Sequence, residues 1–301
     1  MCILLASSAH PKYSLILISN RDEFFERKTQ HTCLQKDQSI LCPLDMAVGN
    51  DGIPKRGTWC GINKNGKIAF VLNLRHNRPQ EANLCNPGFS RGSVPTRFLA
   101  DPGPFSEWCT FDKFASKYPP IRNGNLNLFI GDCKTQQFTA MDSFGLSRPV
   151  LAPEDPNLVI SNDFIDSTTK WPKIEVAEKL LHNLIHEYQD AAEDELVTKC
   201  LELASHCQCE SPKVFESDQL TNSNIFVAPV EIPCGAKIGA TLPCGTYYGT
   251  RSQIVVLVAR KEPIVTFVEQ VLHDADEDAT KYSPSNPKER INFKLTLDSP
   301  F

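Results

Sequence analysis

Apolar positions along this chain recur mainly with the period of a strand. Ile3 to Ala6 is a short apolar run, "SSAHPK" is a polar connector, and "YSLILIS" at Tyr13 to Ser19 returns, which predicts an antiparallel hairpin. With the turn centred near His10 and Pro11, pairing sets Cys2 opposite Ser19 or Asn20 and brings the polar block Asn20-Arg21-Asp22-Glu23 beside the start of the chain. A slip of one residue would exchange the two faces of a strand. Further strands are predicted at Trp59 to Asn63 and Ile68 to Leu74, joined by "KNGK" with its Asn65-Gly66 hairpin signal. Others fall at "LNLFIGD" (126–132), in its partner "CKTQQFTAMDS", and at "NLVISND" (157–163).

The period lengthens to that of a helix between Trp171 and Ala192, where Ile174, Ala177, Leu180, Leu181, Leu184 and Ile185 share one face and Pro172 suits the first turn. A second helix is predicted from Glu193 to His206. Strand periodicity resumes in "SNIFVAPV", "RSQIVVLVAR", "PIVTFVEQV" and "RINFKLTL", and the acidic stretch "HDADEDATKYSPSNPKE" (273–289) reads as a solvated loop. Hairpins outnumber helices and no repeat interrupts them, so the expectation is one α+β domain over 1–301 with helices packed on antiparallel sheets.

Composition narrows the function. The balance of 41% hydrophobic and 22% charged residues over 301 positions predicts a sizeable core. A net charge of -5 with no dense Lys/Arg cluster offers no field for a phosphate backbone, so no nucleic-acid partner is expected. No run approaches the roughly 18 apolar residues of a spanning helix, and the start has neither a basic n-region nor an Arg-rich amphipathic presequence. The chain is therefore expected not to be transmembrane, while surface contact with a membrane stays open. The 12 cysteines are scattered, with only Cys207-x-Cys209 closely spaced, so most are expected to be reduced and buried rather than paired or zinc-bound. His182 and His186 lie one helical turn apart but lack a third ligand, and no metal site is expected.

The start of the chain carries chemistry. Met1 precedes the small residue Cys2, so aminopeptidase trimming would expose a cysteine whose α-amine can act as base for its own thiol. Such a site needs a charged group to orient the amine, for which Arg21 and Asp22, or Glu23, are candidates, and oxyanion donors, for which Asn73 and Asn162 are candidates. The plainer reading of the same residues is a capped turn with an internal ion pair and a small buried cysteine.

Taken in order, "MCI", "SNRDEFFER", "RGTWCGIN", "GKIAFVLN", "SRG", "NLNLFIGD", "ISND" followed by "KWPKI", and "YYGTRSQIVVLV" resemble the NRDE proteins, the transport-and-Golgi-organisation protein 2 family, from Cys2 to about Phe267. The resemblance implies a four-layer α/β/β/α sandwich of the N-terminal-nucleophile hydrolase type. Within that superfamily the bile-salt and penicillin V acylases use a terminal cysteine, an Arg and an Asp after the second strand, and asparagines after later strands. Cys2 matches that pattern. Arg21 and Asp22 match it in type but not in spacing, Asn162 in "VISND" is similar to the oxyanion asparagine, and Asn73 is a weaker match.

The family is associated with haem mobilisation, with acyl-CoA and lipid handling, and with the secretory pathway and mitochondria. The resemblance thus implies a cytoplasmic protein or one associated with mitochondria or with the ER and Golgi. No cofactor is required; haem is a candidate cargo, and Cys42-Pro43 matches a short haem-responsive dipeptide. Arg21, Arg91 and Arg251 are candidate contacts for propionate, phosphate or carboxylate groups, since guanidinium binds planar oxyanions bidentately. Trp59, Phe24, Phe25 and Tyr248 are candidates for an apolar lining, with Asn20 and Glu23 beside them. Two functions follow. One is a carrier or chaperone for haem or acyl-CoA, favoured by the resemblance and preferred; the other is an amide or thioester hydrolase using Cys2, favoured by the residue chemistry.

Overall fold

The computed structural model describes residues 2–35, 39–47, 56–75, 90–118, 125–207, 222–233 and 245–298. Met1 and Cys209 lie outside them. Along the chain come β1 (Ile3–Ser7), β2 (Tyr13–Phe24), β3 (Thr29–Leu34), β4 (Ile40–Asp45), β5 (Cys60–Asn63), β6 (Lys67–Asn73), α1 (Ser93–Ala100), α2 (Phe111–Lys117), β7 (Leu126–Asp132), β8 (Gln137–Asp142), β9 (Ser147–Val150), β10 (Asn157–Ile160), α3 (Pro172–Glu187), α4 (Glu193–Ala204), β11 (Val230–Glu231), β12 (Tyr247–Ala259), β13 (Ile264–Val271) and β14 (Glu289–Thr296).

Two antiparallel sheets result. The first runs β10-β1-β2-β12-β13-β14 with β11 added to the end of β12, and the second is the meander β3-β4-β5-β6-β7-β8-β9. Strand alternation sorts the apolar side chains into three interiors. Leu4, Leu15, Leu17 and Val256 of the first sheet meet Ile62, Phe70 and Phe129 of the second. On the outer face of the first sheet Ile3, Ile16, Ile18 and Val255 pack on Ala177, Leu181, Leu196 and Leu201 of α3 and α4. On the outer face of the second, Ala69, Leu128 and Met141 pack on Phe98 and Phe114 of α1 and α2. Helix, sheet, sheet, helix is the layering that the family resemblance implies.

Three expectations change. The polar block does not end the second strand: β2 continues through Asn20-Arg21-Asp22-Glu23, because β12 pairs with it as far as Tyr248↔Phe24, with an irregularity between Thr250 and Ser252. The β1–β2 register is Ile3↔Asn20, so continuing the ladder sets Cys2 opposite Arg21 rather than Ser19 or Asn20. "SNIFVAPV" yields only the two-residue β11. Its Val227 is instead held by Thr250, whose N–H donates to the Val227 carbonyl at 2.8 Å and whose hydroxyl accepts the Val227 N–H at 2.9 Å.

Candidate functional site at the start of the first sheet

Because β2 stays a strand, alternation splits its four polar residues between two faces. Asn20 and Asp22 share the face of Ile16 and Ile18, toward α3 and α4, whereas Arg21 and Glu23 share the face of Leu15 and Leu17, toward the second sheet. Arg21 lies there with its guanidinium 4.3 Å from the centre of the Trp59 ring, a cation–π contact between the sheets. Glu23 lies 3.5 Å from Arg27 and 4.0 Å from Arg21. Burial works against the Glu23 carboxylate, but these guanidiniums hold it below the usual range.

Cys2 is half-buried and packs against the core shared by the two sheets. Its N–H donates to Asn162 Oδ1 at 2.7 Å, and its carbonyl accepts from the Ser161 hydroxyl at 2.8 Å. Asn162 Nδ2 donates to the Asn73 carbonyl at 2.5 Å, and the Asn162 carbonyl accepts the Arg75 N–H at 2.7 Å. The turn is itself fixed from below, where Asn127 Nδ2 donates to the carbonyls of Ser161 and Asp163 at 2.9 and 2.7 Å. Asn162 thus ties the start of β1 to the end of β6, and Asn73 enters through its backbone. Burial, the largest influence, pushes the Cys2 thiol up, with the Asp22 carboxylate adding to the rise; the Asp22 backbone and Arg21 act the other way.

On the helix side, the Thr250 hydroxyl donates to Asp22 Oδ1 at 2.7 Å and the Tyr248 hydroxyl donates to the Asp22 carbonyl at 3.2 Å. Burial pushes the Asp22 carboxyl up, against the Lys173 ammonium and the Thr250 hydroxyl. Other candidates lie where they brace the frame. Asn20 Nδ2 donates to the carbonyls of Ala204 and Ile225 at 2.7 and 2.8 Å, tying β2 to the end of α4. Arg251 donates to the His273 carbonyl at 3.0 Å, to the Arg27 carbonyl, and to Thr29 Oγ1 at 3.4 Å, and burial followed by the charge of Arg21 pushes it down to about 9. Arg91 lies just before α1, half-buried, where Gly92 packs on Gly57 and the Thr58 N–H donates to the Gly92 carbonyl at 3.0 Å. Tyr248 stands edge-on to Phe24, whereas Phe25 stacks on His273.

Lys173 escaped the reading of the sequence as a site residue. It is the second residue of α3, fully buried, and feels the charges of Asp22 and Cys2. The available signal was its position four residues before Ala177 and eight before Leu181, which puts a lysine on the apolar stripe of an amphipathic helix. Cys2, Cys33, Cys60, Cys109, Cys133 and Cys200 are free thiols. Among the described residues no group of three His, Cys, Asp or Glu could hold a metal, and no helix is long and apolar enough to cross a membrane.

The fold and the site together define a four-layer protein of helix, sheet, sheet and helix with a cysteine fixed beside its leading strand. The profile of the family Transport and Golgi organisation 2 matches residues 1–274, and the chain belongs to that family. It is 40% identical to an uncharacterised protein of Saccharomyces cerevisiae over 99% of this chain and 100% of that one. It is 29% identical to the human Transport and Golgi organization protein 2 homolog over 88% of each. Among solved structures it is similar to the Caenorhabditis elegans ortholog of N-acylethanolamine-hydrolyzing acid amidase, at 10% identity, 99% and 100% coverage and a TM-score of 0.44. It is also similar to a variant of the conjugated bile acid hydrolase of Clostridium perfringens, at 12% identity, 99% coverage of both chains and a TM-score of 0.35.

Proposed function

We propose that this chain binds an amphipathic, anionic acyl compound of the acyl-CoA class and that Cys2 attacks its thioester or amide carbonyl. The observation that carries the reading is the fixing of Cys2: its nitrogen is held by Asn162, and its sulfur lies within the fields of Asp22 and Arg21. Burying Arg21, Asp22, Glu23 and Lys173 together carries a large desolvation penalty, and dense buried charge of this kind is more characteristic of a reacting site than of a core. In the reaction the thiol proton passes to the Cys2 α-amine, exposed once Met1 is removed, while the sulfur forms a bond to the carbonyl carbon. The C–S or C–N bond of the substrate then breaks, and the amine returns the proton to the departing thiolate or amine. Water attacks the acyl-cysteine and releases a carboxylic acid. Asn162 Nδ2 carries a second hydrogen besides the one given to Asn73, and that hydrogen is the donor available to the oxyanion. Release of thiol from a panel of long- and short-chain acyl-CoAs tests the reading: Cys2→Ala in a folded protein is expected to lower turnover at least 100-fold, and undiminished turnover would exclude Cys2.

A second reading, carriage of haem or acyl-CoA without cleavage, is favoured by a groove of about 510 Å³ on the second sheet. Its lining is mainly apolar, including Leu34, Ile40, Leu44 and Leu99, with Cys42 in the wall and Arg56 as a cation. Its Thr58 end adjoins Trp59, which stacks on Arg21. Under this reading Leu44→Glu abolishes ligand binding, Cys2→Ala leaves it unchanged, and the ligand is recovered intact.

A further inference from the structure

Two cysteines at the end of the second sheet face its outer side, whereas Cys2 packs on its inner side. β3 is the last strand of that sheet and pairs with β4 in the register Cys33↔Cys42, followed by Leu34↔Leu41 and by a 2.8 Å bond from the Gln35 N–H to the Ile40 carbonyl. Residues opposed in an antiparallel ladder have Cα atoms about 4.5–5.5 Å apart and send their side chains to one face. A disulfide spans about 4.4–6.8 Å between Cα atoms. Cys33 and Cys42 therefore stand where one bond can join them without a backbone shift. Both carry thiols and both line the same groove, and among the described residues no other two cysteines are opposed in a ladder.

Their surroundings are unequal. Cys42 is 3% exposed, and a Cβ on Gly61 would lie 2.7 Å from the Cys42 Cβ and 2.9 Å from Leu99 of α1, so close packing holds Cys42 in place beneath that helix. Cys33 is half-buried, and two side-chain amides converge on its sulfur: Gln30 Nε2 donates to Sγ at 2.9 Å and Gln35 Nε2 at 3.6 Å. The same Gln35 amide donates to the Cys42 carbonyl at 3.1 Å and so bridges the pair. Donors directed at a sulfur favour the thiolate, the form that attacks an oxidant. An accessible sulfur held by donors, facing a second sulfur packed in place, is the arrangement of a reacting and a resolving cysteine.

We infer that Cys33 and Cys42 form a reversible dithiol site for hydroperoxides, in which Cys33 reacts and Cys42 resolves. The Cys33 sulfur attacks one peroxide oxygen, the O–O bond breaks, and a sulfenic acid forms as one water leaves when the oxidant is hydrogen peroxide. The Cys42 sulfur then attacks the sulfenic sulfur, the S–O bond breaks, and its thiol proton leaves with the hydroxyl as a second water. Two thiols are oxidised to one disulfide and the peroxide is reduced to two waters. Closing the bond ties the edge strand β3 to β4 in the wall of the groove, and a thiol reductant reopens it. The site is independent of Cys2 and of the reaction proposed there.

The test treats the reduced full chain with hydrogen peroxide, blocks the remaining thiols with N-ethylmaleimide, and reads a non-reduced digest by mass spectrometry. The expected product is a peptide pair joined through Cys33 and Cys42, restored to two thiols by dithiothreitol. Cys109, half-buried but opposed to no cysteine, is the internal control and is expected to stay open to N-ethylmaleimide at oxidant doses that close the pair. Cys42→Ser is expected to leave Cys33 as a sulfenic acid that dimedone captures. Gln30→Leu is expected to slow closure roughly threefold to tenfold, the equivalent of one hydrogen bond. Cys2→Ala should close the pair at the rate of the unaltered chain. Cys33 and Cys42 that both stay open to N-ethylmaleimide while Cys109 is oxidised, or a Cys33 linked to a different cysteine, overturns the inference, and the unaltered chain decides this even where a variant fails to fold.

Discussion

Asn162 commits both ends of its amide: Oδ1 accepts from Cys2, and Nδ2 donates to the Asn73 carbonyl. Asn162→Asp would keep the shape but set a carboxylate oxygen against that carbonyl, and is expected to destabilise the fold by about 1–3 kcal/mol in denaturant melts. Asn162→Ala removes both bonds and should lower stability by a similar amount, with loss of whatever reaction Cys2 supports. His273 makes a pH prediction. It is buried, stacks on Phe25 with ring centres 4.2 Å apart, and burial pushes it from 6.5 down to about 4. A base whose folded pKa lies below its ordinary value stabilises while neutral, so its contribution is complete above 6.5 and is lost as pH falls toward about 4. The full loss is on the order of 3 kcal/mol. Melts between pH 7 and pH 4 should show a decline that His273→Gln flattens; parallel curves would contradict the assignment.

Close approach of two glycines organises the element scale. A Cβ on Gly57 would lie 2.8 Å from the Gly92 carbonyl carbon, and one on Gly92 would lie 2.9 Å from Thr58 N, so "RGTW" and "SRG" are bound by one backbone contact that positions α1 against β5. Gly57→Ala is expected to lose about 1–3 kcal/mol in equilibrium unfolding, since backbone must shift; a neutral result would show the contact to be adaptable. β1, β6, β7 and β13 were legible in the sequence because each is an apolar run buried on nearly its whole length, and β14 because Ile291, Phe293 and Leu295 alternate with polar residues. β3 and β4 were not: Thr29–Leu34 mixes exposed and buried positions, and Ile40–Asp45 contains Pro43. The extension of β2 through its polar block was also illegible, because the ladder that stabilises it comes from β12, more than 200 residues away. Of the candidate residues, Cys2 and Asn162 are brought into contact as their chemistry suggested, but local sequence gave no sign that Asn20 and Arg251 would bond mainly to backbone carbonyls. Lys173 was hidden because a lysine in a helix reads as a solvated face.

At the scale of the whole molecule, the first sheet serves as a partition. Its face toward the second sheet carries Arg21 and Glu23 beside Trp59, and its face toward α3 and α4 carries Asp22 with Lys173 nearby. The start of β1 meets that partition where both sets of charges reach it, which gives a physical reason for the polar block to accompany a cysteine at position 2. The family connects the chain to relatives named for transport and Golgi organisation, and the acyl chemistry proposed for Cys2 is separable from any such role by experiment. The most direct measurement is intact mass spectrometry of the purified protein after a brief pulse with a long-chain acyl-CoA. The expected product is a chain lacking Met1 that carries one acyl group on Cys2, with free CoA in solution and no adduct on Cys2→Ala. A chain that retains Met1, forms no adduct and leaves the acyl-CoA uncleaved would contradict it.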